Sequence, residues 1–551
     1  MGRARADAWR APLVRVTVAG ALLAAAGAAS AQSFGLPALP GSQLPMGTGS
    51  LGRPQPGAAD RGPPMQIQYG VRSTVLAAEA SQTGAAAAAS GTDATSRQTL
   101  EISPYVNASW RSATTQASLA WQFRNLETRI EGQSDYSIRH DLRANLNSLI
   151  AGDWLGVQAG AAIFNTNATL AAAQSIDPAT SVSNNAVLRT VFVSPYAQGR
   201  IGALADWRLR YRLEHADNSS NVSPALARST QLLEATIAGG AMFNPWSWAL
   251  TTSGQRRDFP GDVSLSSAST ALTGYYVPSS ELRLGVSLNY LYIERLTNAG
   301  GATNGWGPGA SLDWTPTRRT VVRANVAHQY FGNTGSLSIA HRSQRLALGL
   351  DLSRSVLQSN SAALLTFNPA AVFSAGGFSP ALNPLFAQLN ALGLLSSNEV
   401  VVGTPIINDA LVRNRSAAAS IGWIAPRWSA TATLLRSQRE TLVSSTVFGI
   451  PNSLASPAFG QFDSRGLTAS ASVALSDRHS LGMTGVLRES EQIETGLKVR
   501  VSFLQATMSA RLDARTTASL GVRRTVQSAE GPGAVGSDEN ALFGTLDFRM
   551  R

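Results

Sequence analysis

From Met65 to Arg551 the chain alternates apolar and polar residues at period two, in segments of roughly 12 to 16 residues. The clearest is Trp207-Arg208-Leu209-Arg210-Tyr211-Arg212-Leu213-Glu214, with Trp, Leu, Tyr and Leu on one face and Arg, Arg, Arg and Glu on the other. Ile138 to Asn147 repeats the pattern, as do Leu282 to Tyr290 and Arg345 to Leu352. A strand turns successive side chains to opposite faces, so this pattern predicts strands that separate two environments. Length narrows the choice of environment. A tilted bilayer crossing takes about 9 to 11 residues, more than the five or six usual in soluble strands.

The connections and the tryptophans point the same way. Tight turns are predicted at Arg111–Thr114, Gly152–Trp154, Ala203–Asp206, Asn244–Ser247, Pro278–Ser280, Pro316–Arg318, Ala425–Arg427, Ser476–Arg478 and Asp513–Arg515. Longer or more variable connections fall between them, at 170–187, 219–228, 444–460 and 528–539. Short turns on one rim and long loops on the other are the habit of outer-membrane barrels. Trp110, Trp154, Trp207, Trp246, Trp248, Trp314 and Trp428 lie beside the short turns, as an aromatic girdle at one membrane interface requires. The fold expected is therefore all-β: a transmembrane antiparallel up-and-down β-barrel of about 22 strands, with 20 as the alternative count. The weakest strands in that tally are 66–80 and 359–367, and 338–354 is read as a single strand. The last strand puts Leu542, Gly544, Leu546, Phe548 and Met550 on one face. It ends Phe548-Arg549-Met550-Arg551 rather than on the aromatic residue usual for barrel assembly signals.

The N-terminus changes the picture by supplying an address. Arg3, Arg5, Arg10 and Arg15 precede an apolar stretch from Leu13 to Ala28, and Ala29-Ser30-Ala31 is an A-x-A cleavage site. Residues 1–31 thus read as a secretory signal peptide. Residues 32–64, with seven prolines among Gly and Ser, read as a periplasmic linker, and residues 65–551 as the barrel. A long loop is expected at 368–409. Within it Asn383-Pro384 precedes Leu385, Phe386, Leu389, Leu392 and Leu395 at helical spacing, either as a constriction folded into the pore or as an outer loop with a short helix. The location implied is the bacterial outer membrane.

Composition fits such a surface. Charged residues are only 14%, well below the roughly 25% of soluble domains. There is no Cys, which excludes disulfides, zinc–thiolate sites and thiol nucleophiles. The net charge is +11, but the cations are scattered along the chain and Lys498 is the one lysine, so nucleic acid is not an expected partner.

Chemistry is sparse. His140, His215, His328, His341 and His479 form no metal-ligand spacing, and the first three fall on the lipid-facing register. His215, Asp217 and Ser219 share one strand face near its outer end, the one candidate for a rim hydrolase. At spacing two they sit roughly 6.5 to 7 Å apart, too far for easy hydrogen bonds. Neither a Walker loop nor a GxGxxG opening a helix is present. No catalytic, cofactor or metal site is expected, and the chain is read as a non-enzyme.

One distribution does suggest function. Arg124, Arg139, Arg143, Arg208, Arg210, Arg212, Arg283, Arg323, Arg345 and Arg511 all fall on the polar, inward register. They either line a lumen that favours anions or pair with Asp141, Glu214 and Asp351 in a lattice that stiffens the wall.

Leu100-Glu101-Ile102-Ser103-Pro104-Tyr105-Val106, the block from Tyr136 to Asn147, and Val193-Ser194-Pro195-Tyr196 followed by Trp207 to Tyr211 carry a family likeness. Over most of 98–551 the chain resembles the PEP-CTERM system-associated outer-membrane proteins; residues 32–97 stand outside the likeness. The resemblance implies an exported barrel associated with exopolysaccharide production and exosortase sorting, and brings no catalytic residues with it. Partners expected on that basis are outer-membrane lipid and lipopolysaccharide, an anionic exopolysaccharide and periplasmic export proteins. Two other barrel classes compete. General diffusion porins have about 16 to 18 strands and a constriction loop. Ligand-gated receptors match 22 strands but need a folded plug, whereas only the Pro-rich linker and about one strand precede residue 98.

Overall fold

A computed structural model describes residues 65–83, 95–166, 186–220, 226–259, 263–294, 303–329, 332–358, 366–367, 400–401, 411–443, 461–493, 495–531 and 535–550. The targeting segment and linker at 1–64, and the helix expected at 383–395, lie outside the described residues.

The alternating segments are strands throughout. In chain order they are β1 (Met65–Thr83), β2 (Thr95–Arg111), β3 (Thr115–Ile130), β4 (Gln133–Ala151), β5 (Leu155–Thr166), β6 (Ala186–Ile201), β7 (Ala205–Ser220) and β8 (Leu226–Gly239). Next come β9 (Trp246–Phe259), β10 (Val263–Ser279), β11 (Leu282–Ile293), β12 (Thr303–Thr317), β13 (Thr320–Gln329), β14 (Gly332–Arg342), β15 (Leu346–Gln358), β16 (Thr366–Phe367) and β17 (Val400–Val401). The chain finishes with β18 (Leu411–Ile424), β19 (Trp428–Val443), β20 (Phe462–Ala474), β21 (His479–Gln492), β22 (Leu497–Arg511), β23 (Thr516–Glu530) and β24 (Gly536–Met550).

All but β16 and β17 form one 22-stranded antiparallel sheet. It closes because β1 pairs along both edges, with β2 on one side and with β24 on the other from Tyr69↔Met550 to Thr83↔Gly536. Closure leaves no open edge, which is the condition for a sheet in hydrocarbon. The barrel strands run from 10 to 19 residues, long enough to cross with tilt and to stand above the bilayer.

The lipid-facing surface follows from the same alternation. On β7, Leu209, Tyr211 and Leu213 are exposed while Arg212, Glu214 and Ala216 between and beyond them are buried. Leu284, Val286 and Leu288 on β11, Leu504 and Met508 on β22, and Leu520 and Val522 on β23 continue that outward face. Trp110, Trp154, Trp246, Trp314 and Trp428 stand exposed at the short-turn rim, where Trp423 stacks on Trp428. Trp121 with Phe123 and His140, and Trp306 with Tyr290, lie higher on the outer face. Two aromatic levels bracketing a leucine band define a membrane-spanning belt.

Two strand assignments differ from the sequence expectation. Residues 338–354 are two strands, β14 and β15, joined by a turn at Ser343. Its N–H donates to the Leu346 carbonyl at 2.7 Å, and its hydroxyl accepts the Leu346 N–H at 3.2 Å. The turn holds neither Gly nor Pro, so alternation ran through it unpunctuated. The strand expected at 359–367 is not part of the described barrel: β15 pairs directly with β18, residues 359–365 lie outside the described residues, and Thr366–Phe367 pair with β17 instead. The two errors cancel, which is why the count of 22 stood.

Local sequence sets two further features. At the long-loop rim β3 and β4 are joined by Glu131 (φ 51°) and Gly132 (φ 84°), a two-residue hairpin whose positive φ values match the strand twist. Inside, the Tyr196 ring lies over Gly156 on the neighbouring strand, where a Cβ would collide with it. An aromatic ring covering a strand glycine restores the packing the glycine lacks.

Candidate functional site: the inner wall

The inward register of β23, β24 and β1 to β8 carries several groups of ion pairs. Arg124 on β3 donates to Glu101 on β2 at 2.7 Å and lies 3.7 Å from Asp141 on β4. Ser103 donates its hydroxyl to the same Glu101 carboxylate. Arg212 bridges Glu214 at 2.6 Å and stacks over the Phe192 ring, and Arg210 pairs with Glu234. Glu539 is held between Arg97 at 2.9 Å and Arg523 at 2.6 Å. At the closing seam Asp547 accepts from Arg72 at 3.0 Å and from the Tyr105 hydroxyl at 2.9 Å.

Each of these carboxylates is held by cations on neighbouring strands or on its own, so the pairs brace the strand interfaces as well as charge the lumen. Part of the lattice expected from sequence is present. Arg124 and Arg212 pair with Asp141 and Glu214 as the lattice reading expects, while Arg139 and Arg143 share their register and face inward with them.

From β9 to β22 the inner wall changes character. Ser253 bonds Ser269 at 2.7 Å, Ser353 bonds Ser416 at 2.6 Å, Ser429 bonds Ser472 at 2.7 Å and Thr431 bonds Ser470 at 2.6 Å. Asn325 donates to Ser336 at 2.5 Å. These are cross-strand hydroxyl and amide pairs, the polar unit of sheet pairing. Carboxylates are sparse here, but arginine is not: Arg257, Arg439 and Arg488 also fall on the inward register, Arg257 donating to Gln255 at 2.8 Å and Arg488 to Ser490 at 3.1 Å. Arg283 lies 3.6 Å over the Tyr275 ring, and Arg323 stands 3.8 Å from Asp313.

Among the expected inward arginines, Arg345 is the exception. It sits in the turn between β14 and β15, because the missed turn moved it off the strand. Arg511 closes β22 and donates to the Asp477 carbonyl at 3.0 Å, tying two short turns together. Arg72, Arg97 and Arg523 were not singled out from sequence. Their alternation is weakened by small residues on the apolar face, and only the register to β24 reveals it.

The three residues of the rim-hydrolase candidate do not converge. His215 Nδ1 is 3.1 Å from the Ser229 hydroxyl on β8, and Asp217 pairs with Arg189 on β6 at 3.0 Å. Ser219 lies opposite Val187. His328 meets Asn333, His341 meets Thr320 and His479 meets Ser476, each within 2.7 to 2.9 Å. No cluster of three or more His, Asp or Glu suited to a metal occurs among the described residues.

No protein-family model matches the chain, and no curated protein matches it. Solved structures similar to it include the FrpB iron transporter from Neisseria meningitidis (F5-1 variant, apoprotein form), at 8% identity and TM-score 0.49, covering 88% of this chain and 81% of that one. The siderophore receptor PirA from Pseudomonas aeruginosa matches at 9% identity and TM-score 0.42, over 87% of this chain and 80% of that one. The ferric-catecholate import receptor Fiu from E. coli K12 matches at 10% identity and TM-score 0.43, over 87% and 82%. At these identities and TM-scores the likeness assigns no role; the closed 22-stranded sheet and its outward leucine band define the class. The chain is an outer-membrane-type β-barrel.

Proposed function

We propose that this barrel sits in the bacterial outer membrane as a conduit or scaffold for exopolysaccharide export, associated with PEP-CTERM and exosortase systems. The observation that carries the reading is the two-part inner wall. An arc rich in arginine attracts carboxylated or otherwise anionic sugars, and a hydroxyl-lined arc exchanges hydrogen bonds with a polyol at little cost. The resemblance of 98–551 to the PEP-CTERM system-associated barrels supplies the biological setting. Its partners on this reading are lipid and lipopolysaccharide outside, an anionic polysaccharide within, and periplasmic export proteins; nucleic acid is not among them. The role is non-enzymatic, in keeping with the separation of His215, Asp217 and Ser219.

An anion-selective diffusion porin shares the arginine arc but uses about 16 to 18 strands, fewer than the 22 here. Single-channel recording of the refolded protein in a planar bilayer separates the readings. Block of the current by an anionic polysaccharide, with less block by a neutral one, is expected of the conduit. Current indifferent to both polymers favours the porin. No current from a heat-modifiable, β-rich barrel favours the scaffold.

A further inference from the structure

The outward face above the lipid belt carries its own charges, and one group stands apart. Elsewhere on that face, among the described residues, arginine and carboxylate meet in pairs such as Arg189 with Asp217, Arg256 with Asp258, Arg436 with Asp463 and Arg524 with Asp538, at 2.9 to 3.0 Å. On β20, β21 and β22 three cations converge on one carboxylate. Glu489 accepts from Arg465 at 2.5 Å and from Arg500 at 2.7 Å, with the Lys498 ammonium at 3.3 Å.

Register fixes where this group lies. Arg465 is opposite Glu489, and Glu489 is opposite Arg500. Two residues further down β20 and β21, on the same outward face, the pair Leu467 and Leu487 belongs to the lipid belt. The cations therefore begin one outward step above the leucines, at the boundary between acyl chains and headgroups. The next row up carries Asp463 opposite Glu491, which in turn is opposite Lys498. The surface thus steps from leucine to a row holding Arg465 and Arg500 about Glu489, then to a row of carboxylates in which Lys498 stands between Glu491 and Glu530.

Exposure matches a ligand from outside. The side chains of Arg465, Arg500 and Lys498 are 66%, 62% and 34% exposed, while that of Glu489 is 12% exposed. The carboxylate is enclosed as an anchor that fixes three cations side by side, and their outer donors remain presented. Guanidinium forks match phosphate oxygens bidentately. We propose that Arg465, Lys498 and Arg500, set by Glu489, form a site for the phosphorylated headgroup of an outer-leaflet glycolipid. The inference rests on the outer-membrane placement proposed above, and on nothing about what crosses the lumen.

The test uses the refolded full-length barrel in detergent micelles doped with bisphosphorylated lipid A, the dephosphorylated lipid, or inorganic phosphate. Glycolipid retained through gel filtration is weighed by native mass spectrometry. The wild-type barrel should retain the bisphosphorylated lipid about tenfold more than the dephosphorylated one, the scale set by losing one or two charge-assisted hydrogen bonds. The combined variant R465Q, K498Q, R500Q and E489Q, which leaves no carboxylate unpaired, should lose that preference while remaining heat-modifiable. Equal retention by wild type and variant would overturn the site and leave the membrane reading standing. Displacement of the lipid by millimolar phosphate would overturn the lipid source. A chain that is neither β-rich nor heat-modifiable in these micelles would overturn the membrane reading and this inference together.

Discussion

The arc of inner wall from β23 round to β8 and the arc from β9 to β22 share one strand pattern but hold their strands together differently. The first does it with arginine–carboxylate pairs such as Arg124–Glu101 and Arg523–Glu539. The second does it with hydroxyl pairs such as Ser429–Ser472 and Thr431–Ser470. Both satisfy inward polar atoms, as a wall between lipid and a polar lumen must. They differ in what happens when a partner is removed. A hydroxyl left alone loses a modest net bond, whereas a buried carboxylate left alone keeps its charge without compensation.

The largest effect should therefore come from the charged arc. Arg124→Met leaves Glu101 buried and unpaired, with Ser103 as its remaining described donor. A loss of about 3 to 5 kcal/mol is expected, read as a lower urea midpoint for the refolded barrel in vesicles. Arg124→Met combined with Glu101→Leu should recover most of that loss, since the uncompensated charge is gone. No recovery would show that packing, not charge, sets the cost. Thr431→Val on the hydroxyl arc should cost about 1 kcal/mol, by the same measurement. A cost comparable to that of Arg124→Met would erase the distinction between the arcs.

The smallest effect lies outside the membrane, in the short turn between β22 and β23. There the Asp513 carboxylate accepts the Arg515 N–H at 2.6 Å, the Thr516 N–H at 2.8 Å and the Thr516 hydroxyl at 2.9 Å. The bond from the Arg515 N–H, then that from the Thr516 hydroxyl, holds its pKa below the ordinary carboxylate range. A depressed folded pKa means the stabilisation is full above the unfolded value of about 4 and fades as pH falls through the folded value. Asp513→Asn should flatten that part of the stability profile between about pH 5 and pH 2, lowering stability at neutral pH, where the carboxylate bonds are fully present, and leaving the acid end little changed. An unaltered acid limb would mean the turn contributes nothing to it.

Much of this was legible in the chain because β-barrels write both faces into the sequence. The Trp207–Glu214 segment gave β7 its lipid and lumen faces without a neighbour in view. The short-turn rim and the tryptophans at Trp110, Trp154, Trp246, Trp314 and Trp428 followed from local spacing, while the strand count stood because a missed turn and a surplus strand offset each other. What local spacing lacks is register. Arg72, Arg97 and Arg523 acquire their roles from strands that close the barrel from opposite ends of the chain. The Ser343 turn was invisible because Ser-Gln-Arg carries no Gly, Pro, Asn or Asp, and a lone Ser is a weak turn signal. The grouping of Arg465, Lys498 and Arg500 on one carboxylate likewise depends on pairing across three strands, though Lys498, as the one lysine, was a position worth noting.

The central claim is that the charged arc governs what the lumen admits. Its most direct test is the reversal potential of the refolded barrel across a tenfold KCl gradient, for wild type, for Arg72→Gln with Arg143→Gln on the charged arc, and for Ser353→Ala with Ser416→Ala on the hydroxyl arc. Wild type should prefer chloride, the charged-arc variant should shift toward potassium, and the hydroxyl-arc variant should match wild type. A potassium preference in wild type, or a shift produced by the hydroxyl-arc variant and not by the charged-arc one, would contradict it.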